Sequence, residues 1–179
     1  MKYPKIAVVI STLNGEKYLS QQLESLIGQR GVTMDLYIND NCSTDNTISI
    51  IKKYQKKIRI YLTEIKYKNF FESFLFTLKK ISKNYDFYAF CDQDDYWLED
   101  RVIRGVNFLS KGNKNCPNLF LSRTYLTDEK LNIKSKSKKY LRKASFENAL
   151  IQSIGGGNTY LFNQELKNII SSLKTYKFA

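Results

Sequence analysis

Tyr85-Asp86-Phe87-Tyr88-Ala89-Phe90-Cys91-Asp92-Gln93-Asp94-Asp95-Tyr96-Trp97 is the stretch that decides the fold. Phe87 to Cys91 is a short apolar, aromatic run of the kind that fits a buried strand. It stops abruptly at three carboxylates, Asp92, Asp94 and Asp95. In an open α/β sheet, ligands bind just past the carboxyl ends of the strands. A strand ending in Asp-x-Asp therefore puts hard oxygen donors where a ligand sits. Three close acids repel one another unless a cation or a donor network lies among them. Mg²⁺ or Mn²⁺ carrying phosphates suits such a place, since these ions bind through one or two carboxylates plus substrate phosphate. The competing reading is structural: Asp94 or Asp95 caps a helix that begins near Leu98. An EF-hand loop is ruled out, because Tyr96 and Trp97 stand where its last acid and its Gly belong. A phosphatase with an aspartyl nucleophile is a weaker metal reading, because Tyr96 replaces the small hydroxyl residue that chemistry wants.

Upstream, Lys5 to Ser11 is Val/Ile-rich without alternation, the pattern of a strand buried on both faces. A turn at Thr12-Leu13-Asn14-Gly15 leads into a helix over Glu16–Gln29, with Leu19, Leu23, Leu26 and Ile27 on one face. A second strand over Asp35–Ile38 ends in the polar run Asn39 to Thr47, where Ser43 is the expected N-cap of a helix through about Lys56. Ile58–Leu62 reads as a third strand. Asn69–Lys83 reads as a helix with Phe70, Phe71, Phe74, Leu75 and Leu78 inward. Downstream of the acidic turn, the pattern predicts a helix over Leu98–Leu109, a strand over Leu119–Tyr125, a helix over Phe146–Ile154 broken by Gly155-Gly156-Gly157, a strand over Thr159–Phe162 and a helix over Glu165–Leu173. Strand and helix in alternation imply one α/β domain with a mostly parallel central sheet and helices on both faces. Three strand ends then carry polar clusters on one edge. Their coincidence there points to a nucleotide-diphosphate site, with the second cluster suited to the imide N–H of uracil or thymine or to ribose hydroxyls. GxGxxG and GxxxxGK[ST] are both missing, which argues against a standard dinucleotide or P-loop site.

The 179 residues, 42% of them hydrophobic, suffice for one domain with a real core. The formal charge of +12 favours polyanions, anionic membrane surfaces or phosphorylated ligands. Most basic residues read as solvated helix faces, whereas Lys134 to Lys143 reads as a mobile basic loop. Cys42, Cys91 and Cys116 are widely spaced and there is no His, which excludes His-containing zinc sites and Ser-His-Asp chemistry within the chain. Reduced cysteines make a cytoplasmic location the default expectation. Ile6 to Ile10 is too short for a signal-peptide core, and no segment has membrane-spanning length.

Three segments together resemble the inverting family 2 glycosyltransferases: Ile6-Ala-Val-Val-Ile-Ser-Thr-Leu-Asn-Gly-Glu-Lys-Tyr-Leu, Asp40-Asn-Cys-Ser-Thr-Asp-Asn-Thr, and Phe90-Cys-Asp-Gln-Asp-Asp-Tyr-Trp-Leu-Glu-Asp-Arg-Val. The Asp-Gln-Asp-Asp-x-Trp form is most similar to the bacterial rhamnosyltransferase-like branch. The resemblance runs from about Lys5 to Asn163. It implies a GT-A fold and a UDP- or dTDP-linked sugar donor held through Mg²⁺ or Mn²⁺. It further implies a glycan or lipid-linked acceptor in polysaccharide or cell-envelope biosynthesis, with the chain peripheral to the inner face of the cell membrane. Carried over by position, Thr12, Asn14 and Glu16 line the nucleotide pocket, Asp40 and Asn41 meet base and ribose, and Asn69 sits near the donor. Asp92 and Asp94 form the DXD metal pair, with Asp94 the direct metal contact and Asp92 nearer ribose or metal. Asp95 and Trp97 shape the sugar side, and Gly156 and Asn158 belong to a loop that closes the donor and acceptor side.

Two departures qualify the resemblance. Asn41 stands where the family usually has a second acid, which removes a charge from the base pocket. The family also continues into a segment with an acidic catalytic base and acceptor contacts, so that base is expected beyond Ala179. Inversion needs a base to deprotonate the acceptor hydroxyl, and Asp128, Glu129 and Glu147 match no base motif. The alternatives are a non-catalytic nucleotide-sugar-binding domain and a basic nucleic-acid-binding module. The last lacks any RRM-like or helix-turn-helix signature, so nucleic acid is not an expected partner.

Overall fold

The computed structural model describes residues 3–139 and 155–174. The elements run β1 (Lys5–Thr12), α1 (Glu16–Ile27), β2 (Thr33–Asp40), α2 (Thr47–Tyr54), β3 (Ile60–Glu64), α3 (Phe70–Lys79), β4 (Phe87–Asp92), α4 (Arg101–Leu109), β5 (Leu119–Phe120), β6 (Tyr125–Thr127), β7 (Ile133–Lys136), a 3-10 turn (Gly157–Thr159), β8 (Leu161–Phe162) and α5 (Gln164–Ser172). The expected helix over Phe146–Ile154, and Glu147 with it, lies outside the described residues.

Six strands form one sheet in the order β3-β2-β1-β4-β8-β5, and β6 with β7 forms a separate two-stranded ribbon. β1, β2, β3 and β4 are parallel, whereas β8 runs antiparallel to β4 and to β5. Alternation along β1 splits the core into two layers. Ile6, Val8 and Ile10 pack with Leu19, Leu23, Ile51, Val102 and Val106 from α1, α2 and α4. Ala7 and Val9 face the other way, with Leu78, Tyr88 and Phe162, and Leu166 and Ile170 of α5 pack against that layer. The strand is buried on both faces, which is why it reads as an unbroken apolar run.

Where α4 crosses β5 and β8, only glycine fits. A Cβ on Gly105 would lie 2.6 Å from Leu161 Cδ2 and 2.9 Å from Phe120 Cδ1. Leu161 is 1% exposed and has little room to move. Gly→Ala inside a helix ordinarily gains up to about 1 kcal/mol, but overpacking costs roughly 1–3 kcal/mol. Gly105→Ala is therefore expected to be net destabilising, by about 1–2 kcal/mol in urea unfolding. A stabilised variant would show that this contact relaxes freely.

Four expectations are corrected. The strand expected over Leu119–Tyr125 is two pieces: only Leu119 and Phe120 find a partner strand in the main sheet, and Tyr125 opens the ribbon. Phe70 and Phe71 are 74% and 54% exposed rather than inward, because α3 turns Ser73, Leu75 and Leu78 to the sheet and leaves its first turn uncovered. The expected cap Ser43 does not cap α2, which begins later; Asp45 Oδ1 instead accepts from Thr47 N at 3.0 Å. Lys134 to Lys143 does not begin as a loop, since Ile133–Lys136 is β7.

Candidate functional site

Strand register brings the three polar clusters to one rim. Ser11 pairs with Asp92 on one side and with Asn39 on the other, and Thr12 pairs with Asp40. Parallel neighbours end together, so the turns after β1, β2 and β4 all open at the carboxyl edge of the sheet, where ligands bind in open α/β folds.

The first two clusters are tied to each other. Thr12 Oγ1 donates to Asp40 Oδ1 at 2.7 Å, and Ser43 donates to the same carboxylate from its N–H at 2.7 Å and its hydroxyl at 2.6 Å. Asp40 is fully buried and Thr12 nearly so. Asn14 takes a left-handed backbone, φ 47°, which Asn tolerates better than most residues. Its side-chain oxygen accepts from Thr44 N at 2.9 Å, and its N–H donates to Ser43 Oγ. Glu16 reaches across to accept from Asn46 N at 2.9 Å and from Asn46 Nδ2 at 2.8 Å, at the start of α2. A carboxylate there also meets the positive end of that helix.

Asn41 Nδ2 donates to Ser11 Oγ at 2.9 Å, and its Oδ1 accepts from Tyr67 N at 3.2 Å. Ser11 in turn donates to Ser73 Oγ of α3 at 2.8 Å. Asn69 is the N-cap of α3, with its side chain accepting from Glu72 N at 2.9 Å. That helix therefore starts beside the rim, as its neighbour Ser73 shows.

The third cluster differs in kind. Asp92 and Asp94 are exposed, and their carboxylates have no hydrogen-bond or ion-pair partner among the described residues. Asp92 is held above the ordinary carboxylate range, first by desolvation and then by the charge of Asp94. Neither Asp94 nor Asp95 caps α4, whose N-cap position is Asp100. Among the described residues, no group of three or more His, Cys, Asp and Glu side chains surrounds one point. The donor set offered to a metal is thus two unpaired carboxylates at a rim. That fits an ion completing its shell with phosphate and water.

Asp95 is built in instead. Both its oxygens accept from Asn158 Nδ2, at 3.0 and 2.9 Å. Desolvation, together with the charges of Asp92 and Asp94, pushes its carboxyl up to about 6, against the pull of Asn158 and Arg101. Arg101 lies with its guanidinium 3.6 Å from the centre of the Trp97 ring and donates to Asn158 O at 3.0 Å. Burial lowers this guanidinium to about 10. Trp97 is 3% exposed, and its backbone N–H donates to Ser25 Oγ, so it supports the turn from below. Gly156 accepts from Thr159, and a Cβ at Gly156 would lie 2.6 Å from Asn158 Oδ1. Glycine there lets Asn158 turn to Asp95.

Two residues of this rim carry no sequence signal of their own role. Gln93 clasps the β1 turn, accepting from Leu13 N at 2.9 Å and donating to Leu13 O at 3.2 Å. Arg101 sits in an ordinary helix start. Both act through pairings 57 or more residues apart, which no local pattern encodes.

Against known proteins, the Glycosyl transferase family 2 model matches residues 7–166. The chain belongs to the family 2 glycosyltransferases. It is 30% identical over 161 residues to the dTDP-rhamnosyl transferase RfbG of Shigella flexneri, covering 87% of this chain and 54% of that protein. It is 29% identical over 109 residues to the poly(ribitol-phosphate) β-N-acetylglucosaminyltransferase TarS of Staphylococcus aureus, covering 60% of this chain and 19% of TarS. The structure of TarS residues 1–349 in complex with UDP-GlcNAc superposes with a TM-score of 0.57 at 26% identity, over 65% of this chain and 33% of that one. The mannosyltransferase PcManGT of Pyrobaculum calidifontis, in complex with GDP-Man and Mn²⁺, shares the fold with a TM-score of 0.64 at 16% identity, over 95% of this chain and 47% of that one. The chain thus spans about half the length of RfbG and a fifth of TarS. The fold is of the GT-A type, with the mostly parallel sheet expected from the sequence.

Proposed function

We propose that this chain is the donor-binding part of a metal-dependent, inverting glycosyltransferase. It takes a sugar from a UDP- or dTDP-linked donor to a glycan or lipid-linked acceptor in cell-envelope biosynthesis. The observation that carries this reading is the pair of carboxylates, Asp92 and Asp94, without a partner among the described residues, at the end of a strand whose Asp92 pairs with Ser11, next to the buried Thr12–Asp40 pair. Family membership and nucleotide-sugar-binding neighbours support it.

The Thr12, Asn14, Glu16, Asp40 and Asn41 network stiffens two turns so that their outward groups meet the nucleoside. Asp94, with Asp92, would hold Mg²⁺ or Mn²⁺, which supplies charge neutralisation for the departing diphosphate. Asp95, fixed by Asn158 and Arg101, would face the sugar. Cytoplasmic placement at the inner membrane face is part of the same reading; no helix among the described residues is long and apolar enough to cross a membrane.

A second reading, nucleotide-sugar binding without transfer, is favoured by the state of two acids. Asp128 is held by Lys134 and Asn132, and Glu129 by Lys17 and Tyr18. These partners hold both carboxyls below their ordinary range, which makes them poor proton acceptors. Titration of UDP and dTDP into the protein tests the core proposal: affinity should rise by about tenfold or more with Mn²⁺ and fall back with EDTA, the scale of one metal–phosphate contact. Equal affinity with and without the ion would refute metal use. A product assay on a longer form of the chain separates transfer from binding alone.

A further inference from the structure

The β6–β7 ribbon stands apart from both core layers. All seven of its strand residues are exposed. Leu126 and Ile133 are 52% and 62% exposed, and Tyr125 is 45% exposed. A lone two-stranded hairpin is marginal in water, so a ribbon that shows aliphatics on top of this has reason to rest on something.

Register shows how the ribbon is faced. Tyr125 pairs with Lys136 and Leu126 with Ser135. Thr127 pairs with Ile133, and the register shift between Leu126 and Thr127 interrupts the alternation along β7, so Tyr125, Lys136 and Ile133 share one face while Leu126 and Ser135 lie on the other. Lys136 Nζ lies 5.3 Å from the Tyr125 ring centre, in agreement. Charge is one-sided. Arg123 to Lys139 holds six basic residues and two acids, and both acids are already paired, Asp128 with Lys134 and Glu129 with Lys17. Lys130, Lys138 and Lys139 are exposed with no acidic partner among the described residues.

We propose that this ribbon is a docking surface for an anionic phospholipid bilayer. Lysine clusters gain about 1 kcal/mol per residue near such a surface, and flanking aliphatics enter the headgroup boundary. A soluble polyanion would use the lysines but not Leu126 and Ile133. A protein interface would favour the aliphatics but is depleted in Lys. The bilayer uses both. Orientation follows from the hairpin tip: Glu129 bonds Lys17 and, at 3.2 Å, Tyr18, in the first turn of α1, the helix that starts at the rim with Glu16. A bilayer touching the ribbon therefore lies beside the carboxyl edge of the sheet. This proposal rests on the membrane-face placement in the proposed function and gives it a surface; lipid docking needs no nucleotide, so its failure and that of the sugar-transfer reading are distinguishable.

Sedimentation of the whole chain with vesicles of phosphatidylcholine, alone or mixed with phosphatidylglycerol, tests it. Binding is expected only to the mixed vesicles, weakening as salt rises. The variant Lys130→Glu/Lys138→Glu/Lys139→Glu, whose sites lie outside the strands, should bind on the order of 100-fold more weakly, about fivefold per lysine. The variant Leu126→Ser/Ile133→Ser should lose the binding that persists at high salt. Equal binding to neutral vesicles, unchanged binding by the triple variant, or a ribbon-dependent dimer with no vesicle binding would each overturn the proposal. So would binding to a soluble anionic polymer with none to vesicles. An unchanged far-UV spectrum for the triple variant ties its loss to charge; should that variant misfold, the salt and lipid dependence of the native chain decides.

Discussion

Asp40→Ala is expected to lower stability by about 3–5 kcal/mol, the range for stripping one partner from a buried, charge-assisted network. For a chain of this size that is roughly a 10 °C loss in Tm or more. The carboxylate is fully buried and accepts three hydrogen bonds, from Thr12 Oγ1, Ser43 N and Ser43 Oγ. Alanine leaves three donors with nothing to meet inside the protein, each costing about 1–3 kcal/mol when water cannot reach it. Relaxation of the Ser43 turn recovers part of this, which is why the expected total is below the sum. Asp40→Asn keeps one acceptor and turns an amide toward donors, so roughly half the loss is expected. Thr12→Val should cost about 1–2 kcal/mol, and the double variant should cost less than the two singles together. Nucleotide affinity should fall in parallel with stability, because the same bonds hold the turn. If Asp40 instead served only as a direct ribose contact, Asp40→Ala would melt normally and lose nucleotide affinity alone.

That expectation marks the line between what the sequence discloses and what it conceals. β1, β2 and β4 are legible because a strand buried on both faces must be apolar throughout, and Ile6 to Ile10 and Phe87 to Cys91 are. The polar stops after them are legible as a rim, because parallel strands separated by helices end on the same edge. Division of labour within the rim is not legible. Thr12 and Asp40 look like ligand contacts by type, yet they spend their hydrogen bonds on each other. Ser43 looks like a helix cap but completes the Asp40 shell. Phe70 and Phe71 have the spacing of a buried face, yet among the described residues no element covers the first turn of α3, and they stand exposed. β5 and β8 are two residues each and exist through pairing alone. For Thr12 with Asp40 and for β5 with β8 the deciding partner lies far along the chain, where periodicity and propensity carry no information; Ser43 lies three residues from Asp40, and there a local turn competes with the helix cap.

Asp94→Ala is expected to remove most of the Mn²⁺-dependent gain in UDP or dTDP affinity and to leave the fold intact in EDTA. In the transfer assay with a longer chain, a loss on the order of 100-fold or more is expected, the scale of several kcal/mol of Lewis-acid stabilisation. The asymmetry comes from its surroundings. Asp94 is exposed and has no partner among the described residues, so its loss breaks no bond and relieves repulsion on Asp92 and Asp95. Asp95 is the contrasting case. Its folded carboxyl sits near 6, against an ordinary value of 3.8. A raised acid binds its proton more tightly when folded, so the charged form costs stability at neutral pH, and the cost fades as pH falls from about 6 toward 4. With partial solvent screening, the cost at pH 7 is roughly 1–3 kcal/mol. Asp95→Asn should therefore stabilise the metal-free protein at pH 7, change little at pH 4, and flatten the pH dependence between. Its response to Mn²⁺ should survive if, as proposed, the metal sits on Asp92 and Asp94, while sugar transfer should fall. The reverse pattern, with Mn²⁺ dependence kept in Asp94→Ala and lost in Asp95→Asn, would move the metal to Asp95 and require Asn158 to release it.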